Sequence, residues 1–281
     1  MPVTLEGPVI GLVLLAALLH ASWNAITKAS GDPMLTLWVV TFTGSVIGGV
    51  GTLFVDFPHR DAWPYLAGSM ALHFAYEMFL VSAYRLGDLS QVYPIARGLA
   101  PCVVAGLAAV FVGEVLDAKQ SAGLAIAAIS IGSLARSGRG AGGAAAAVAV
   151  GTGLLIAGYT FIDGQGVRLG GDPFNFIAWS FFLHALPFTV VVLVRRRRRF
   201  PSFLRSGARA ALAGGAMATL AYAIVLWALG QGGMAHVSAL RETSVLIAAL
   251  IGTRLLGEPF GGRRVAASVG VVLGIALMQS S

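Results

Sequence analysis

Long stretches without a charged side chain alternate with short polar breaks along the chain. No Lys, Arg, Asp or Glu occurs between Glu6 and Lys28, or between Asp32 and Asp56. The same holds for 98–113, 120–135, 140–162, 173–194 and 210–240. The last is too long for one element and is interrupted by Gly230-Gln231-Gly232-Gly233, a turn signal. A helix that crosses hydrocarbon needs about 20 apolar residues. The pattern therefore predicts ten membrane-spanning helices, over 8–28, 33–55, 62–84, 89–112, 118–135, 144–167, 173–194, 208–229, 233–253 and 262–279.

Composition narrows the class further. Of 281 residues, 57% are apolar and 11% charged, against about 45–50% and about 25% in a soluble chain. Too few charges remain to cover a water-exposed surface, and too many apolar residues are present for disorder. The mean hydropathy of +0.82 agrees. A net charge of +7 would suggest nucleic acid in a soluble protein. Here the basic residues lie between apolar runs, so no nucleic-acid partner is expected; membrane lipid is. The single Cys102 offers neither an intrachain disulfide nor a cysteine metal site, and no cofactor or metal is expected. The start has no basic segment ahead of its apolar run, which argues against a cleavable signal peptide.

The basic residues are distributed asymmetrically. Connections 1–2, 3–4, 5–6, 7–8 and 9–10 hold Lys28, Arg85, Arg136, Arg139, Arg195 to Arg199, Arg205, Arg209, Arg254, Arg263 and Arg264, fourteen of the 19. The other side holds Arg60, Lys119 and Arg168. Short basic loops stay in the cytoplasm, which places both termini on the opposite side of the membrane. The five-arginine run reads as an orientation anchor or as a site for anionic head groups.

The chain also repeats. Arg97 and Arg241 are separated by the same interval as Gly113-Glu114 and Gly257-Glu258; Leu86-Gly87 returns as Leu229-Gly230, and Gly31-Asp32-Pro33 as Gly171-Asp172-Pro173. Five spans per half, an odd number, force the halves into opposite orientations. The expected fold is an all-α membrane protein of ten transmembrane helices in two inverted five-helix repeats. These occupy 1–136 and 144–281, joined by a linker at 137–143. Inverted repeats typify secondary transporters, with the substrate site between them.

These features together resemble the EamA family of the drug/metabolite transporter superfamily. The two five-span halves, Gly113-Glu114 and Gly257-Glu258, and Pro94 early in span 4 carry the resemblance. His20-Ala21-Ser22-Trp23-Asn24 and Tyr159…Asp163-Gly164 look like one bacterial branch. The resemblance implies a polytopic inner-membrane carrier, usually an exporter of amino acids or other small metabolites.

Ionisable residues at membrane depth are costly and so are functional candidates. Glu77, Asp163 and Glu242 are candidate proton-coupling groups. Arg97 and Arg241, at equivalent repeat positions, are a candidate anion clamp, or else structural partners of those carboxylates. Span 3 carries His73, Tyr76, Glu77 and Tyr84 on one helical face. Span 1 carries His20, Trp23, Asn24 and Thr27, which line a cavity or serve as interhelical glue. Tyr93, Tyr159 and Tyr222 complete the candidate lining. Trp227 reads as an interfacial anchor, His236 as a loop contact, and Glu114 and Glu258 as structural caps. Gly44…Gly48 and Gly270…Gly274 have the spacing of close helix packing, so the chain is expected as a monomer or homodimer.

The leading reading is a secondary active transporter of a small metabolite, an amino acid or other small organic, anionic compounds included, working by alternating access with proton-linked export or exchange. A flippase for lipid-linked substrates is the alternative, and an intramembrane enzyme a weaker one. No HExxH, nucleophile-elbow or phosphate-loop motif is present, so the chain is not expected to be an enzyme.

Overall fold

A computed structural model describes residues 5–86, 89–134, 143–256 and 262–280. Among these every regular element is a helix: α1 (Gly7–Lys28), α2 (Pro33–Gly51), a 3₁₀ turn (Arg60–Ala62), α3 (Trp63–Leu86), α4 (Leu89–Val112), α5 (Ala118–Leu134) and α6 (Gly143–Leu169). There follow α7 (Pro173–Arg196), α8 (Phe200–Ser206), α9 (Ala208–Gln231), α10 (Met234–Arg241), α11 (Thr243–Leu256) and α12 (Gly262–Gln279). Five segments are long and apolar enough to cross a membrane: Gly7–Thr27, Pro33–Gly51, Ala146–Leu169, Pro173–Arg196 and Ala208–Gln231. Ala96–Val112 and Val265–Gln279 are shorter apolar helices.

The repeated Gly-Asp-Pro motif is a helix-start device. Asp32 caps α2 by accepting from the Leu35 N–H at 3.2 Å, and Asp172 caps α7 by accepting from the Phe174 N–H at 2.8 Å. Proline follows each cap, where its missing N–H costs nothing. Gly171 turns the chain at φ +86°, a conformation that glycine adopts without strain.

Two expectations need correction. The stretch 233–253, read as one span, is two helices that break at Glu242. Its N–H bonds back to Ala239 O at 3.0 Å, and the Thr243 hydroxyl donates to Leu240 O at 2.9 Å, so the ladder tightens and stops there. The basic connection 7–8 is not bare loop either, because it holds α8. The linker at 137–142, Gly257-Glu258 and the side chains of Tyr84, Tyr93 and Pro94 lie outside the described residues.

The packing order is nearly unchanged when α1, α2, α3, α4 and α5 are exchanged for α6, α7, α9, α10–α11 and α12. The α1–α9 contact matches α6–α3, α2–α9 matches α7–α3, and α4–α6 matches α10 and α11 against α1. Helices α2 and α7, α5 and α12, and α4 and α10 pack on one another directly. Small residues permit this. A Cβ on Gly48 would strike Phe182 N and Ala178 O of α7. Gly123 and Gly274 bring the backbones of α5 and α12 together, and Gly270 faces Ser130. Gly270…Gly274 is therefore occupied inside the chain and offers no free face for a dimer.

Polarity is reversed relative to a soluble protein. Leu53 and Phe54 are 79% and 81% exposed, whereas Glu77, Arg97, Asp163, Arg241 and Glu242 are all buried. Such an exterior suits lipid, and the buried charges lie on α3, α4, α6 and at the α10–α11 break.

Candidate functional site

Helices α1, α2, α3, α6, α7 and α9 line a cavity of about 100 Å³. Seven predicted residues line it: His20 and Trp23 from α1, His73, Tyr76 and Glu77 from α3, Tyr159 from α6 and Tyr222 from α9. Helical spacing puts each group on one face, and these faces cannot meet lipid cheaply. Rings dominate. His73 stacks on Tyr159 with centroids 4.1 Å apart, and Tyr222 meets both edge-on.

The carboxylates hold neutral partners. The Thr41 hydroxyl lies 3.0 Å from Glu77 Oε1, and His184 Nε2 lies 3.9 Å from the same oxygen. Thr41 also lies 2.8 Å from Leu37 O, yet its hydroxyl carries one hydrogen for two acceptors. Asp163 accepts from the Tyr222 hydroxyl at 2.5 Å, and His73 Nε2 stands 3.8 Å away. His73 Nδ1 lies 3.1 Å from Ser69 O; a carbonyl only accepts, so that nitrogen bears the hydrogen and Nε2 is left towards Asp163. Asp163 sits where Gly164 and Gly166 make room for Met234 and the Phe176 ring.

The two arginines separate in role. Arg97 Nε lies 2.7 Å from Glu242 Oε2, and its Nη2 donates to Ser244 Oγ at 2.7 Å. Arg241 ends α10, with its guanidinium carbon 6.0 Å from the centre of the Tyr159 ring. Neither arginine pairs with Glu77 among the described residues.

Other predicted residues are elsewhere. Asn24 is buried and donates to His20 O of its own helix at 2.8 Å, and Thr27 donates to Trp23 O at 3.0 Å; neither lines the cavity. The Thr27 hydroxyl thereby commits its one hydrogen to its own helix, whereas Asn24 Nδ2 commits one of its two. Trp227 packs partly buried on the main core rather than standing free at the surface. His236 is fully buried, with Nε2 3.2 Å from Met278 O, tying α10 to α12 instead of to a loop. Glu114 behaves as a cap: it accepts from the Met234 N–H at 2.9 Å and pairs with Arg168. Gly113, at φ +70°, turns the chain after α4 just ahead of it.

His184, Thr41 and Thr219 also line the cavity, and sequence reasoning missed them. His184 is the only imidazole in the uncharged run 173–194, and counting histidine as neutral hid it. Thr41 and Thr219 carry no signal that separates them from other helix threonines.

The two ends of the helix bundle differ. At one, Asp32 faces Arg196 at 3.7 Å and Arg199 at 3.8 Å beside a wider cavity of about 570 Å³. That cavity is lined by Ile26, Leu35 and Ala211, on α1, α2 and α9, three of the six helices that line the inner one. At the other end, Arg168 closes the bundle by donating to Leu229 O at 3.0 Å and Gly232 O at 2.7 Å besides its Glu114 pair. Ser280 O accepts from Lys119 Nζ at 2.8 Å at the start of α5, on that same closed end.

Comparison with known proteins places this geometry. Residues 143–280 match the family model described as the EamA-like transporter family. A solved crystal structure, titled only as that of a protein, superposes with a TM-score of 0.76 at 16% identity, over 97% of this chain and 96% of that one. The two share a fold. No curated protein matches the chain.

Proposed function

Because the chain belongs to the EamA-like transporter family, we propose that it is a secondary active transporter moving a small organic metabolite by alternating access, with the inner cavity as its site. The observation that carries this reading is the convergence of His20, Trp23, His73, Tyr76, Glu77, Tyr159 and Tyr222 on one cavity between the two halves. The exchange symmetry of helix contacts supports two inverted five-helix units, at 1–136 and 144–281, and ten spans. The break at Glu242 adds to it, since discontinuous helices commonly build transporter sites. The wide cavity at the Asp32 end and the Arg168 closure at the other fit one half of an alternating cycle, open towards the cytoplasm of a bacterial cell.

Proton linkage rests on Glu77 and Asp163. Both are buried carboxylates whose partners are hydroxyls and imidazoles, not guanidiniums, so neither is locked as an ion pair. The shared Thr41 hydrogen is relieved whenever Glu77 carries a proton and donates to Thr41. Substrate and proton then exchange at one place.

Proteoliposomes loaded with a pH-sensitive dye and screened with amino acids and organic acids test this. Some compound should elicit proton movement through the wild-type protein, and Glu77→Gln should cut that movement at least about tenfold, the difference that separates a loss of coupling from scatter. No proton movement with any compound would remove proton linkage, and undiminished coupling in Glu77→Gln would remove Glu77 from the path.

A further inference from the structure

We propose that Arg241 is the binding site for a single carboxylate group, and that the compound carried in the inner cavity bears one. This rests on the transporter reading above and adds the substrate's chemical class. The two buried arginines are unequal. Arg97 is neutralised by Glu242 and bonded to Ser244. Arg241 is 3% exposed, and among the described residues its Nε and Nη2 are buried without a hydrogen-bond partner. No ion pair joins it to a carboxylate among the described residues.

A guanidinium does not escape burial by losing its proton, as a lysine does. Buried polar groups are as a rule hydrogen-bonded, so an arginine left open at this depth is a site awaiting its acceptor. The buried carboxylates each have another partner, Glu242 in Arg97, Asp163 in Tyr222 and Glu77 in Thr41. Glu77 Oε2, Asp163 Oδ1 and Glu242 Oε1 are themselves left without a hydrogen bond, yet none of the three groups forms an ion pair with Arg241 among the described residues. The open atoms also carry geometric information. The Nε–H and Nη2–H bonds lie along one edge of the guanidinium and run parallel, spaced to meet both oxygens of a carboxylate. The same edge suits a neutral amide poorly, because an amide offers one acceptor and two unwanted hydrogens.

The rest of the ligand has a place to go. Tyr159 lies under the guanidinium and lines the cavity together with His73, Tyr76 and Trp23. A carboxylate on Arg241 leaves the attached organic group among these rings. An anion entering beside a protonated Glu77 or Asp163 adds no net charge to the site, which keeps the cost of crossing hydrocarbon low.

Thermal unfolding of the full chain in detergent tests the proposal, with acetate, butyrate and benzoate each set against its own amide. At least one carboxylate should raise Tm by about 3 °C or more at saturation, and its amide should not. Arg241→Gln should erase the difference, and Arg241→Lys should weaken carboxylate binding about tenfold, because one rotating ammonium cannot supply the parallel pair. The proposal is overturned if no carboxylate exceeds its amide, or if the shift survives in Arg241→Gln. It is also overturned if Arg241→Gln cannot fold, which would make the residue a structural partner, or if Arg241→Lys binds carboxylates as well as wild type. Carboxylate binding that is intact in a protein with no flux would sink the transport reading alone; flux of neutral compounds without carboxylate binding would sink this one alone.

Discussion

Arg97 of α4 and Glu242 at the α10–α11 break, far apart in sequence, form an ion pair at 2.7 Å with both side chains almost wholly buried. Ser244, just past the same break, also accepts from the arginine, at 2.7 Å. Breaking a buried pair from one side costs about 3–5 kcal/mol, since a lone charge stays behind. The two sides differ here. A glutamate abandoned by Arg97 can take up a proton, whereas an arginine abandoned by Glu242 stays charged. Glu242→Gln should therefore lower unfolding stability by more than Arg97→Met, and the double variant should lose less than the sum of the two. Additive losses in detergent unfolding would mean that the pair is not a coupled unit.

Close helix contact makes a second forecast. At Gly48 a Cβ would meet the α7 backbone at Phe182 N and Ala178 O, whereas at Gly11 it would meet nothing within 4 Å. Gly48→Ala should destabilise by about 1–3 kcal/mol, the usual cost of overpacking. Gly11→Ala should be neutral or slightly stabilising, by up to about 1 kcal/mol from helix propensity. Equal Tm values for the two variants would contradict the α2–α7 approach.

Arg168 and Glu114 bind four segments at the closed end, the tail of α6, the connection after α4, the end of α9 and the start of α10. Hydrogen bonds to charged groups contribute about 1.5–3 kcal/mol each when partly buried. Arg168→Ala should cost roughly 2 kcal/mol or more and should expose the chain near Gly232 to protease. Unchanged cleavage there would show that the closure does not depend on Arg168.

Orientation has a direct readout. Lys119 holds Ser280 O at the end of the bundle away from the Arg196 and Arg199 cluster. If the basic connections are cytoplasmic, a C-terminal reporter active only in the periplasm should give signal. Activity from a reporter that works only in the cytoplasm would invert the topology.

The sequence by itself determined the class, the helix positions and the residues worth suspecting. Hydropathy and charge act locally: a charged side chain is excluded from hydrocarbon wherever it falls, so the uncharged runs marked most helices within a few residues. The Gly-Asp-Pro starts were readable for the same reason, since an N-cap is complete within four residues. Arg97, Glu77 and Asp163 stood out because an ionisable group in an apolar run is costly in any fold. Tertiary structure alone decided the partners. The pairing of Arg97 with Glu242, the setting of Arg241 over Tyr159 with no ion pair among the described residues, and the entry of His184 beside Glu77 are choices between groups far apart in sequence. Depth along a helix restricts such choices without selecting among them; packing of whole helix faces makes the selection. The break at Glu242 belongs to the same level, because only there does the tightened turn set a carboxylate against Arg97.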